Sequence, residues 1–70
     1  MIEPGYYRHF KGNHYEVLFA ATNSETMEEM VVYKALYGEG RLWVRPASMW
    51  NDVVTTEDGA RVVRYSKEEA

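Results

Sequence analysis

The stretch YYRHFKGNHY, residues 6–15, concentrates the residue types that could do chemistry. It holds both histidines of the chain, His9 and His14, with Arg8 and Lys11 between aromatic rings. Two imidazoles across a turn could begin a metal site, but zinc usually takes four ligands. Glu16 and Glu25 are the carboxylates available to add, and no ligand pair stands at helical spacing. The reading from spacing is therefore no metal and no cofactor, with His9 a half-buried polar position and His14 a solvated turn residue. A cation beside aromatic rings suits another task, the stacking of a base or gripping of a peptide side chain. Tyr7, Arg8 and His9 are candidate ligand-binding residues on that ground. Trp43 and Arg45 join them, because they share parity in LWVRP. Arg45 has two readings: pairing with Glu25 or Glu28, or staying free beside Trp43 to meet an anion.

A second constellation is Ser24-Glu25-Thr26, hydroxyls beside a carboxylate. A serine nucleophile needs a base within hydrogen-bond reach and an oxyanion hole. His9 could serve as that base only if the first strand lies beside that loop, and no Gly-x-Ser-x-Gly elbow is present. Ser, Thr and Asn more commonly shape turns by bonding nearby backbone. No residue is assigned as catalytic. Gly38-Glu39-Gly40-Arg41 lacks the lysine and following helix of a phosphate loop and reads as a hairpin turn.

The elements that must position these residues are strands. Tyr6–Phe10 and Tyr15–Thr22 flank Gly12-Asn13, a pair suited to the positive φ of a hairpin. Met30–Tyr37 is rich in β-branched and aromatic residues. Leu42–Arg45 is a short fourth strand stopped by Pro46. Ala47–Val53 reads as a helical turn, Asp58-Gly59 as a tight turn and Arg61–Tyr65 as the last strand. Residues 66–70 read as a charged, frayed tail. Alternation puts Val17, Phe19 and Ala21 on one face of the second strand, and Phe10, Phe19 and Tyr33 are the expected core rings. The order predicts an all-β domain over residues 1–70, a five-stranded, SH3-like, partly open barrel with its core at about 5–65 and one short helical turn before the last strand.

Seventy residues limit the core, and without cysteine there is no disulfide to supplement it. Aromatic residues, 14% of the chain, can take over that role, since each buries a large area. The net charge of −3 argues against a duplex-binding surface. No apolar run is long enough for a membrane helix, and no signal-peptide pattern opens the chain. A cytoplasmic location is expected.

The segments GYYRHFKGNHYEVL, NSETMEEMVVYKALYG and LWVRPASMW resemble a bacterial family known as domain of unknown function 1653. The resemblance runs from Gly5 to Tyr65. Asn23 stands where that family commonly has histidine, so this member lacks an imidazole in the Ser-Glu-Thr loop; Trp50 stands where phenylalanine is common. The family name implies no activity. The expectation is a non-enzymatic binding module with an aromatic and basic face for a protein segment, a nucleotide or single-stranded nucleic acid. Two alternatives stand beside it: an enzyme or enzyme accessory using Ser24–Thr26 with His9 and Arg45, and a homo-oligomeric, dimeric structural domain carried by an exposed apolar patch.

Overall fold

The computed structural model describes residues 2–68. It is all-β apart from one 3-10 turn. Seven strands are present among the described residues: β1 (Gly5–His9), β2 (His14–Thr22), β3 (Glu29–Ala35), β4 (Leu42–Pro46), β5 (Val53–Thr55), β6 (Arg61–Val63) and β7 (Tyr65–Lys67). Five form one antiparallel sheet in the order β4-β3-β2-β1-β7, and β5 and β6 form a separate hairpin. The main sheet is open, with β4 and β7 as its edges.

The meander of the first four strands follows the turn chemistry. Gly12 takes φ +106° between β1 and β2, and Gly38 and Gly40 take +59° and +66° between β3 and β4. These are left-handed conformations that glycine adopts without a Cβ penalty. Beyond β4 the structure is more divided than the sequence suggests. The helical turn expected over Ala47–Val53 is confined to Ala47–Met49, and Val53 already belongs to β5. The expected last strand breaks at Arg64, whose N–H donates to the Asp52 carbonyl. β6 stays with β5, whereas β7 crosses to pair with β1 through Tyr7–Lys67, Arg8–Ser66 and His9–Tyr65. Ser66 and Lys67, expected to fray, are therefore strand residues; residues 69–70 of that tail lie outside the described residues.

One irregularity decides which side chains face the core. The β2–β3 register shifts between Val17 and Phe19, so that Val17 opposes Tyr33 while Phe19 opposes Val32. One extra residue, Leu18, is absorbed as a bulge, and the faces of β2 exchange beyond it. Tyr15 and Val17 point inward with Tyr33 and Val31 of β3, whereas Phe19 points outward and is 55% exposed. Phe19 is thus a surface residue, and its placement in the core is corrected. Phe10 is half-buried and Tyr33 is buried.

The sheet curls around Trp50, which is fully buried. Its ring stacks flat on Tyr65 with centroids 3.8 Å apart, and meets Tyr33 at 4.8 Å and Tyr7 at 5.4 Å at steep angles. Ile2, Tyr15, Val17, Val31 and Ala35 complete the core. Tyr7 is only 5% exposed, and its hydroxyl donates to the Glu3 carbonyl at 2.8 Å. It is a packing residue in this fold.

Candidate binding cleft

Strand alternation sends Arg8 and His9 to opposite sides of β1. Arg8 lies outward, opposite His14 on β2 and Ser66 on β7, and is exposed. It makes no ion pair among the described residues. His9 lies inward and half-buried, with its ring 4.9 Å from Tyr65 and 4.6 Å from Phe10. The Lys11 N–H donates to His9 Nδ1 at 3.1 Å, which leaves the neutral ring's proton on Nε2. Burial, followed by the charges of Arg64, Lys11 and Arg45, holds the imidazole below its ordinary value of 6.5. His9 is therefore neutral at pH 7, a hydrogen-bond donor and not a cation.

Both residues line one cleft of about 270 Å³ between the end of β1 and the β5–β6 hairpin. Phe10, Val62 and Val63 supply its apolar surface, and Thr56 and Ser66 complete its lining. The Thr56 hydroxyl is occupied locally: it donates to the Asp58 carboxylate and lies 3.2 Å from the Ala60 carbonyl. Arg64 ties the hairpin to the end of β1 and closes the hairpin's own base. Its carbonyl accepts from the Phe10 N–H at 2.9 Å, and its guanidinium grips the Asp52 carboxylate with two bonds, at 2.8 and 3.1 Å. That fork holds the Asp52 carboxyl below its ordinary range. Lys11 reaches over the Phe10 ring at 5.8 Å. The apolar residues and Arg8, which makes no ion pair among the described residues, thus line one cleft.

The other expected site residues go elsewhere. Arg45 lies across the curl of the sheet, 5.6 Å from the Tyr65 ring centroid, and donates to the Met49 carbonyl at 3.4 Å. It makes no ion pair with Glu25 or Glu28 among the described residues. Arg45 and His9 therefore meet on Tyr65, which burial pushes to a raised pKa. Trp43 lines a separate hollow of about 160 Å³ with Tyr37, Arg41 and the β3–β4 turn. Of the expected five, Arg8 and His9 share the cleft, Arg45 sits behind His9, Trp43 stands apart and Tyr7 is in the core.

Ser24, Glu25 and Thr26 are exposed in the β2–β3 connection, at the end of the sheet opposite the β1–β2 turn beside His9. Asn23 Oδ1 accepts from the backbone N–H groups of Glu25 and Thr26, and Thr26 Oγ1 accepts from that of Glu28. These side chains shape their own turn, and the fold does not bring them to His9 or Arg45. The two histidines fall on opposite faces; His14 Nδ1 lies 2.6 Å from the Glu68 carboxylate. They cannot share one ion, and no group of three or more metal-ligating side chains assembles among the described residues.

Thr56, Val62, Val63 and Ser66 were not anticipated as site residues. Nothing in their local sequence marks them, because the cleft exists only once the β5–β6 hairpin packs beside β1, nearly fifty residues away in the chain. No helix among the described residues is long and apolar enough to cross a membrane.

Comparison with known proteins agrees with the topology. The sequence profile of the family described as Protein of unknown function (DUF1653) matches residues 5–67. The crystal structure of a protein of that family from Bordetella bronchiseptica is similar, with 38% sequence identity and a TM-score of 0.86 over 96% of this chain and 87% of that one. No curated protein matches the sequence. The pattern from Gly5 to Lys67 and the shared strand arrangement lead to one assignment: the chain belongs to the DUF1653 family of proteins of unknown function.

Proposed function

We propose that the chain is a non-enzymatic binding module whose cleft takes a protein segment bearing an apolar side chain next to a carboxylate. The observation that carries this reading is Arg8, an exposed residue without an ion-pair partner among the described residues, lining the same cleft as Phe10, Val62 and Val63. An apolar side chain on that floor loses water, and a neighbouring carboxylate meets the planar fork of Arg8. At about 270 Å³ the cleft has room for one inserted side chain. An oligonucleotide would bring a phosphate with every nucleotide against the net charge of −3, whereas the peptide brings a single carboxylate to Arg8.

Selection of a phage-displayed peptide library on the intact protein tests this. Enriched peptides should carry Asp or Glu adjacent to Leu, Ile, Val or Phe. Their binding should move the NMR signals of Arg8, Phe10 and Val62, and Arg8→Glu should weaken it about tenfold or more, equivalent to about 1.4 kcal/mol. An unenriched library, or equal binding by Arg8→Glu, would overturn the proposal. Tight, strongly salt-dependent binding of a short oligothymidylate at the same residues would replace the peptide with single-stranded nucleic acid.

A further inference from the structure

The edge formed by β4 is the least protected part of the molecule. Arg41, Leu42, Trp43 and Val44 are all exposed in sequence, with Leu42 and Val44 both at 62%. Its backbone is also half unpaired. The Ala35 N–H donates to the Arg41 carbonyl at 2.9 Å. Alternation along the antiparallel ladder then makes Tyr33–Trp43 and Val31–Arg45 the hydrogen-bonded pairs with β3. Leu42 and Val44 consequently turn their N–H and C=O groups away from the sheet, whereas the Pro46 carbonyl, at the N-cap of the 3-10 turn, accepts from that turn. Edge strands are usually guarded by charge, proline, a bulge or a covering element. Here Pro46 guards one end of β4, and Leu42 to Val44 are left bare.

We propose that β4 pairs antiparallel with β4 of a second copy of this chain, about a two-fold axis at Val44. The sequence LWVRP is self-complementary in that register. Each Val44 N–H donates to the Val44 carbonyl of the other copy, so that one pair of backbone bonds closes across the axis. On the concave side, Trp43 of each copy faces the Arg45 position of the other, whose guanidinium stays with Tyr65 and the Met49 carbonyl of its own chain. On the convex side, the row Phe19–Val32–Val44, already in register across three strands, continues through the second Val44 into the same row of the other copy. The neighbouring register, centred on Trp43, would place Arg41 opposite the other copy's Arg45, and like charges directly opposite each other are destabilising. The avoided Arg41–Arg45 opposition and the continuous apolar row thus both select Val44 as the centre. The other edge offers no such match: β7 presents Ser66, and Lys67 is bound to Glu3 at 2.8 Å. The binding cleft lies at the β1–β7 end of the sheet, so pairing through β4 leaves it open, and the two proposals stand or fall separately.

Analytical ultracentrifugation of the wild-type chain from low micromolar to high micromolar concentration should show the mass doubling. Val44→Pro removes an N–H that the monomer does not use and should keep the mass single at every concentration. Val44→Lys should do the same through charge if proline disturbs the strand, with circular dichroism showing each variant folded. The chain has no native cysteine, which allows a register test. Under mild oxidation Val44→Cys should form a cross-linked pair, because residues facing each other across the axis lie within disulfide range. Trp43→Cys should not, because its copies are offset along the strands. A wild type that stays monomeric throughout, or a folded Val44→Lys that still doubles, would overturn the pairing. Preferential cross-linking of Trp43→Cys would overturn its register.

Discussion

His9 and Asp52 respond to acid in separate windows, each for a reason visible in its surroundings. The His9 pKa is lowered in the fold by burial first and then by Arg64, Lys11 and Arg45. The unfolded chain therefore accepts a proton that the folded chain refuses. This contribution to stability is complete above the ordinary value of 6.5 and is lost as the pH falls from there through the lower folded value. An NMR titration of the His9 ring should give a midpoint below 6.5, and His9→Gln should flatten the fall in urea midpoint just below that pH. Asp52 is also lowered, chiefly by the Arg64 fork. Its contribution is present above the ordinary carboxyl value of 3.8 and disappears as the pH drops through the folded value. Asp52→Asn should lower the urea midpoint at pH 7 and reduce the loss of stability at the acid end. An unchanged midpoint at neutral pH would mean that the fork does not fasten the hairpin.

At the scale of elements, the bulge in β2 and the tryptophan after β4 make opposite demands on substitution. Because Leu18 is the extra residue, Phe19 can become Lys with a stability change of roughly 0.5 kcal/mol or less, whereas Val17→Ala should cost about 2 kcal/mol. Equal costs in urea melts would show that the register shift is wrong. Trp50 carries the heavier load. It touches Tyr7 of β1, Tyr33 of β3 and Tyr65 of β7, and so joins both ends of the curled sheet. Trp50→Ala should cost roughly 3–5 kcal/mol, enough to unfold a domain of this size. Trp50→Phe should cost much less. It gives up stacking area on Tyr65, but it also removes an indole N–H that is buried without an acceptor among the described residues.

Across the whole molecule, local chemistry was readable and distant contacts were not. Gly12, Gly38 and Gly40 announced their turns because each position needs a conformation that few residues adopt. Val31, Val32 and Tyr33 announced a strand because their side chains suit a pleated surface. Phe19 misled because one inserted residue reverses a period of two, and alternation contains no mark of a bulge. Tyr7 misled because a ring beside arginine and histidine reads the same whether it faces Trp50 or water. The second half of the cleft was hidden for a third reason: Val62, Val63 and Ser66 gain their meaning only from a hairpin and a strand that part company at Arg64. Met27, which takes a left-handed φ of 63° in the β2–β3 connection, stands where glycine or asparagine would be expected, and its neighbours gave no warning.

The pairing of β1 with β7 has one more outcome. Tyr7 opposes Lys67, the Tyr6 carbonyl accepts from the Glu68 N–H at 2.8 Å, and the Glu3 carboxylate holds the Lys67 ammonium. The first and last described segments thus run side by side. A short glycine-serine bridge could join them, and the chain could be reopened in the exposed Ser24–Thr26 connection, away from both the cleft and β4. Such a circular permutant should fold to the same sheet, with its beginning and end relocated to the far side of the molecule.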